Sequence, residues 1–228
     1  MTTTVLLHGC PGDADSWGPL LSHAPNAIAY ELLDHGEREA PAATLDALID
    51  DVVRFVVAQP EPVVLAGHSF GAWVAVQAAA RAPSHVRKLV LVAGIARVTD
   101  EIVTSLGGFA EALASGAMTH AAAVDVAVDL WLGPDDRTPE HVDRIRRLVL
   151  ASPPERLARQ LRRTIEATDL VPALRMRTVV LHPEDDRAAP IALGAALADR
   201  LGVPLRLVPG ATHFVHWIEP GSVAAHLS

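Results

Sequence analysis

The sequence predicts an α/β fold, a doubly wound and mostly parallel sheet of about six strands with helices on both faces. Short apolar runs rich in Val, Leu and Ile recur along the chain, separated by longer amphipathic stretches. These runs are nearly continuous rather than alternating, as strands covered on both faces require. One long segment departs from this rhythm and reads as helix throughout, so an inserted helical layer is expected as well.

The first run, 4–8 (TVLLH), leads into the turn-rich stretch "HGCPGDADSW". Further strands are expected at 27–33 (AIAYELL), 63–67 (VVLAG), 88–93 (KLVLVA), 178–182 (TVVLH) and 205–208 (LRLV). Helices are expected at 45–58, 72–82, 191–201 and 222–227. Between 97 and 170, segments such as "EIVTSLGGFAEALA" and "PERLARQLRRTIEA" space their apolar residues three and four apart, with Pro and Gly at the joints. An insertion of this size is too long for a loop. The expected organisation is a core of residues 1–96 and 171–228 with a helical cap, 97–170, inserted between two core strands.

Composition narrows the function classes. At 228 residues and 50% hydrophobic content the chain can bury a sizeable core. The formal net charge is −8 with no basic patch, so no nucleic-acid partner is expected. Cys10 is the single cysteine, which excludes an internal disulfide framework and cysteine-rich metal motifs and fits a cytoplasmic setting. The opening "MTTTVLLHG" lacks the pattern of a secretory signal, and no apolar run approaches the ~18 residues of a membrane span. A small-molecule substrate and a monomer or homodimer are expected.

The chemistry centres on Gly67-His68-Ser69-Phe70-Gly71. These residues alone also fit a glycine-rich turn with a serine N-cap. Placed after a strand and before a helix, G-x-S-x-G is a nucleophile elbow, a tight turn that lifts the serine hydroxyl above the carboxyl end of the sheet. A serine needs a base, and the base needs an orienting carboxylate. Of eleven histidines, His213 in "VPGATHFVHW" is best placed, in a loop after the last strand. His68 reads as a structural neighbour, and His216 as part of the final helix. The pair His213 and His216 lacks a third ligand, so no metal is expected. The carboxylate is sought after 178–182, where "PEDDRAAP" offers Glu184, Asp185 and Asp186, all three open at this point. For the oxyanion hole, the amide of Phe70 follows the nucleophile and the amide of Cys10 lies in the loop after the first strand. Ile95, Trp131 and Phe214 are candidate apolar pocket residues, as are Phe109 and Trp217, although each also fits ordinary packing.

With these motifs in order, nearly the whole chain resembles the α/β-hydrolase superfamily, as a capped, serine-nucleophile, esterase- or lipase-like member. "HGCPG" is similar to its oxyanion loop, "GHSFG" to its elbow, "DLVPALRMRTVVLHPEDDRAAP" to its passage from cap to acid strand, and "PGATHF" to its histidine segment. The resemblance implies a triad of Ser69, Asp186 and His213 and no cofactor. Three features depart from the family: the two strands that precede the oxyanion strand are missing, the loop "LDHGEREAP" is abbreviated, and Pro183 replaces a glycine. A serine elbow implies hydrolysis of a small to medium, largely apolar ester, thioester or lactone through an acyl-enzyme. The alternatives are carbon-carbon bond hydrolysis, a lyase using the same triad for elimination, and a receptor with little turnover.

Overall fold

The computed structural model describes residues 2–167 and 174–228. Six strands, β1 (Thr4–Leu7), β2 (Ala27–Tyr30), β3 (Val63–His68), β4 (Val86–Val92), β5 (Arg177–Pro183) and β6 (Leu205–Val208), form one sheet in the order β2-β1-β3-β4-β5-β6. Every pairing is parallel. The order reverses between β1 and β3, and ligands of open α/β sheets bind beyond the carboxyl ends of the strands at such a reversal.

Ten helices accompany the strands among the described residues: α1 (Gly18–Leu21), α2 (Leu45–Val57), α3 (Phe70–Arg81), α4 (Asp100–Ala114), α5 (His120–Trp131), α6 (Pro139–Leu150), α7 (Pro154–Glu166), α8 (Ile191–Leu201), α9 (Val215–Ile218) and α10 (Pro220–Ala224). Successive residues of a strand face opposite sides of the sheet. Val5 and Leu7 of β1, Leu65 of β3 and Leu91 of β4 therefore join one core with α2, α3 and α8, while Leu6, Val64, Val90 and Leu181 join Trp17, Leu20, Val215 and Val223 on the other. The strands are apolar at both parities because both faces are covered.

Helices α4–α7 lie between β4 and β5, as the helical periodicity of that segment predicts. They share the first core, to which Phe109, Trp131, Ile145, Leu157 and Leu161 belong. The expected cap limit at 170 and the adjoining core start at 171 lie outside the described residues.

The structure corrects several element limits. β2 ends at Tyr30 instead of 33, because the chain turns through Asp34 and Gly36, both at positive φ. α3 begins at Phe70, directly after Ser69, two residues earlier than its alanine run suggests. The final helix expected at 222–227 is α10, which runs from Pro220 to Ala224, and a separate short helix, α9, which holds His216, precedes it across Glu219 (φ −125°, ψ 58°). Among the described residues no helix is long and apolar enough to cross a membrane.

Candidate active site

The serine turn is built by close packing. Ser69 has φ 51° and ψ −120°, a backbone conformation costly for a residue with a side chain, and its N–H donates to the Val92 carbonyl at 2.9 Å. Both flanking glycines are sterically required. A Cβ on Gly67 would stand 2.2 Å from the Gly71 carbonyl oxygen, and one on Gly71 would stand 2.3 Å from the carbonyl oxygens of Leu7 and His8. The glycines let α3 press against β3 and β1, and the strain falls on the serine. Asp34, Ser69 and Ala93 are the non-glycine residues at positive φ among those described, and they follow the carboxyl ends of β2, β3 and β4.

His213 reaches the same edge from the loop after β6. Its Nδ1 lies 2.9 Å from Asp186 Oδ2, and both side chains are buried. The other oxygen, Asp186 Oδ1, accepts from the amides of Ala188 (2.9 Å) and Ala189 (2.8 Å). Because a carboxylate only accepts, Nδ1 carries a hydrogen, and in the neutral ring that leaves the lone pair on Nε2. Of the three consecutive acids, the structure brings Asp186 to the histidine and leaves Glu184 and Asp185 exposed.

Two contacts hold the histidine loop. His68 Nε2–H donates to the His213 carbonyl at 2.9 Å. Thr212 Oγ1–H donates at 2.7 Å to Asp136, which lies in the turn Pro134–Asp136 between α5 and α6. His216 is fully buried, with its ring 4.4 Å from that of His68 and 4.5 Å from that of Trp17. Burial pushes its pKa down to about 3. Among the described residues no group of three His, Cys, Asp or Glu side chains is arranged to hold a metal ion.

A cavity of about 230 Å³ lies between the strand ends and α4, α5 and α7; Ser69, Phe70, Cys10 and His213 line it. Phe70 is the first residue of α3, so its N–H has no carbonyl one turn back within the helix. Burial pushes the Cys10 thiol up to about 12, which keeps it a neutral wall rather than a thiolate. Ile95 and Trp131 also line the cavity. Phe214 does not line it, contrary to the expectation. Its ring stacks on Trp217 at 3.9 Å, edge-on to Trp131 at 6.2 Å, so it supports the wall from behind. Phe109 and Trp217 are likewise core residues and do not line the cavity.

The loop after β2 holds a cluster that sequence reasoning missed. The buried Asp34 carboxylate meets Arg159 (2.7 Å), Arg163 (2.6 Å) and Arg156 (3.6 Å), all from α7. Its carbonyl accepts from Gln160 at 2.6 Å and Arg156 at 3.0 Å. Burial pushes the Asp34 carboxyl up, but hydrogen bonds from Arg159 and the Ala40 amide and the nearby guanidinium charges outweigh it and hold the group at about 2. The signal in the sequence was Arg156, Arg159 and Arg163 on one helical face; nothing local named their partner.

Residues 4–226 match the model of a known family, described as the alpha/beta hydrolase family. This chain belongs to that family. The α/β hydrolase is 25% identical over 224 residues to the biotin biosynthesis bifunctional protein BioHC of Cellvibrio japonicus, covering 95% of this chain and 45% of that protein. It is 26% identical over 137 residues to (E)-2-((N-methylformamido)methylene)succinate hydrolase of Acinetobacter baylyi, covering 57% of this chain and 50% of that one. The alignments thus span about half the length of these curated relatives. Among solved structures, a thermophilic esterase from Thermogutta terrifontis superposes with a TM-score of 0.85 at 24% identity, over 99% of this chain and 87% of that one. The enol-lactonase of Burkholderia xenovorans superposes with a TM-score of 0.82 at 22% identity, over 98% and 88%. At these identities the likeness of the α/β hydrolase to solved structures is one of fold.

Proposed function

We propose that this α/β hydrolase cleaves a small carboxylic ester, thioester or lactone through an acyl-enzyme on Ser69. The observation that carries the reading is the meeting of Ser69, on its strained turn, with the Asp186–His213 pair at one cavity. Ser69 Oγ attacks the carbonyl carbon while His213 Nε2 takes its proton, and Asp186 stabilises the imidazolium. The amides of Cys10 and Phe70 receive the negative charge that develops on the carbonyl oxygen, aided by the positive end of α3. The carbon–oxygen or carbon–sulfur bond to the leaving group breaks as Nε2 returns the proton. Water then adds to the acyl carbon and gives a proton to Nε2, which passes it to Ser69 Oγ as the carbon–Oγ bond breaks, releasing the acid and restoring Ser69.

Helices α4–α7 serve in this reading as a cap over the cavity. The relatives named as an (E)-2-((N-methylformamido)methylene)succinate hydrolase and an enol-lactonase agree with acyl transfer to water. A serine-directed phosphonate should add once to the intact protein, at Ser69. Ser69→Ala should abolish labelling and lower turnover of activated esters by roughly 10³-fold to 10⁶-fold. Undiminished turnover in that variant would overturn the reading, and elimination products in place of acid and alcohol would replace hydrolysis by a lyase reaction.

A further inference from the structure

The cavity is lined mainly by apolar side chains, and its fixed charges are Arg97, Glu101 and Arg187. Arg97 follows β4, and Arg187 follows Asp186 in the loop after β5, so the segments after two neighbouring strands each bring one arginine to the cavity lining. Both side chains are exposed. Most arginines of this molecule are engaged by carboxylates, as Arg38 is by Asp51 at 2.6 Å and Arg163 by Asp34 at 2.6 Å. Arg97 and Arg187 have no ion pair or hydrogen-bond partner among the described residues, and Glu101 is within 4.0 Å of neither. Among the described residues that line it, the cavity thus carries two arginines against one glutamate, while Arg187 also borders an adjoining opening lined by Asp135, Asp136, Glu184, Asp185 and Asp186.

Cationic side chains without a carboxylate partner at the mouth of an apolar cavity attract anions. The guanidinium fork matches a carboxylate in two parallel hydrogen bonds, and it is less strongly hydrated than an ammonium. At about 230 Å³ the cavity falls below the roughly 300–1,000 Å³ of pockets that enclose drug-sized ligands. We propose that Arg97 and Arg187 clamp a carboxylate at the non-reacting end of a small substrate, so that the preferred substrate is an acidic ester rather than a neutral one. This inference rests on the acyl-hydrolase reading of Ser69 and names the substrate class for that site.

Matched pairs test it on both sides of the scissile bond. Monomethyl glutarate against dimethyl glutarate places the carboxylate on the acyl side, and 4-acetoxybutanoate against its methyl ester places it on the leaving group. In at least one pair kcat/KM should favour the acid by tenfold or more, the preference should shrink as salt is raised, and it should fall toward one in Arg97→Gln/Arg187→Gln. Glu101→Gln, which removes the opposing charge, should increase it, while Arg206→Gln on β6 serves as the remote charge control. A neutral ester used as well as the acid in both pairs overturns the proposal, as does a preference that survives the double variant. Failure of the hydrolase reading looks different, with no ester turned over and no phosphonate adduct at Ser69. Free glutarate should in that event still raise Tm relative to glutaramide, and the shift should vanish in the double variant; no shift overturns the clamp as well.

Discussion

Asp186 stands beside two other acids, and what separates the three is their surroundings. Its Oδ1 is held by two loop amides and its Oδ2 by His213, so its position is fixed before the reaction begins. Asp186→Asn should therefore lower kcat on the order of 10⁴-fold, because an amide can present a donor to Nδ1 and favour the wrong imidazole tautomer. Asp185→Asn and Glu184→Gln should stay within about tenfold, as exposed loop carboxylates contribute little beyond local screening. Steady-state kinetics of the three variants decide the point, and a larger loss at Asp185 would overturn the assignment. The same contrast separates the histidines. His213 lines the cavity, whereas His216 is packed beneath it against Trp17 and His68.

At the scale of elements, one tie between the inserted helices and the rest of the fold is electrostatic. Asp34 sits at φ 63° in the loop after β2 and draws three arginines of α7 to itself. Arg163 and Arg156 are themselves nearly buried, with side chains 6% and 11% exposed, so removing the carboxylate strands their charges. Asp34→Asn should destabilise the fold by about 3–5 kcal/mol at pH 7, measured by denaturant unfolding, the range for breaking one partner of a buried pair. The abbreviated loop that holds Asp34 places it where α7 can reach it. A loss below about 1 kcal/mol would show that the arginines find other partners or water.

Across the whole molecule, burial of imidazoles sets the response to acid. Burial lowers the pKa of His8 to about 4 and of His35 and His216 to about 3, and burial followed by the neighbouring His216 and His213 holds His68 well below its usual value. Their folded pKa values lie below the unfolded value near 6.5, so each contributes stability that is present above that pH and lost as pH falls toward the folded value. With roughly 1.4 kcal/mol per proton per pH unit, four such rings together remove on the order of 5 kcal/mol for each unit below about 6. Asp34, held at about 2, loses its contribution only below about pH 4, so it does not start the decline. The protein should unfold cooperatively between about pH 4 and 5.5, taking up several protons, as followed by circular dichroism and by the slope of stability against pH. A native signal persisting at pH 3.5 would show that the rings protonate in place.

The order of elements was legible because parallel strands covered on both faces need apolar residues at both parities, and helices need them at three- and four-residue spacing. β1, β3 and β5, and the helices α3 and α8 that follow the last two, could be read from these local requirements, as could the elbow around Ser69, where Gly67 and Gly71 are dictated by backbone approach. Which of three adjacent acids meets His213 was not a local property. The loop amides of Ala188 and Ala189 hold Asp186, but its meeting with His213 depends on how the loops after β5 and β6 come together, and the residues alone left it open. Phe214 is apolar beside His213 in sequence, yet the fold aims its ring at Trp217 and away from the cavity. Asp34 and its arginines are separated by more than a hundred residues, as are His68 and His213. Side-chain chemistry and periodicity act along the chain and leave a readable pattern; partners chosen by the packing of distant elements leave none until the chain has folded.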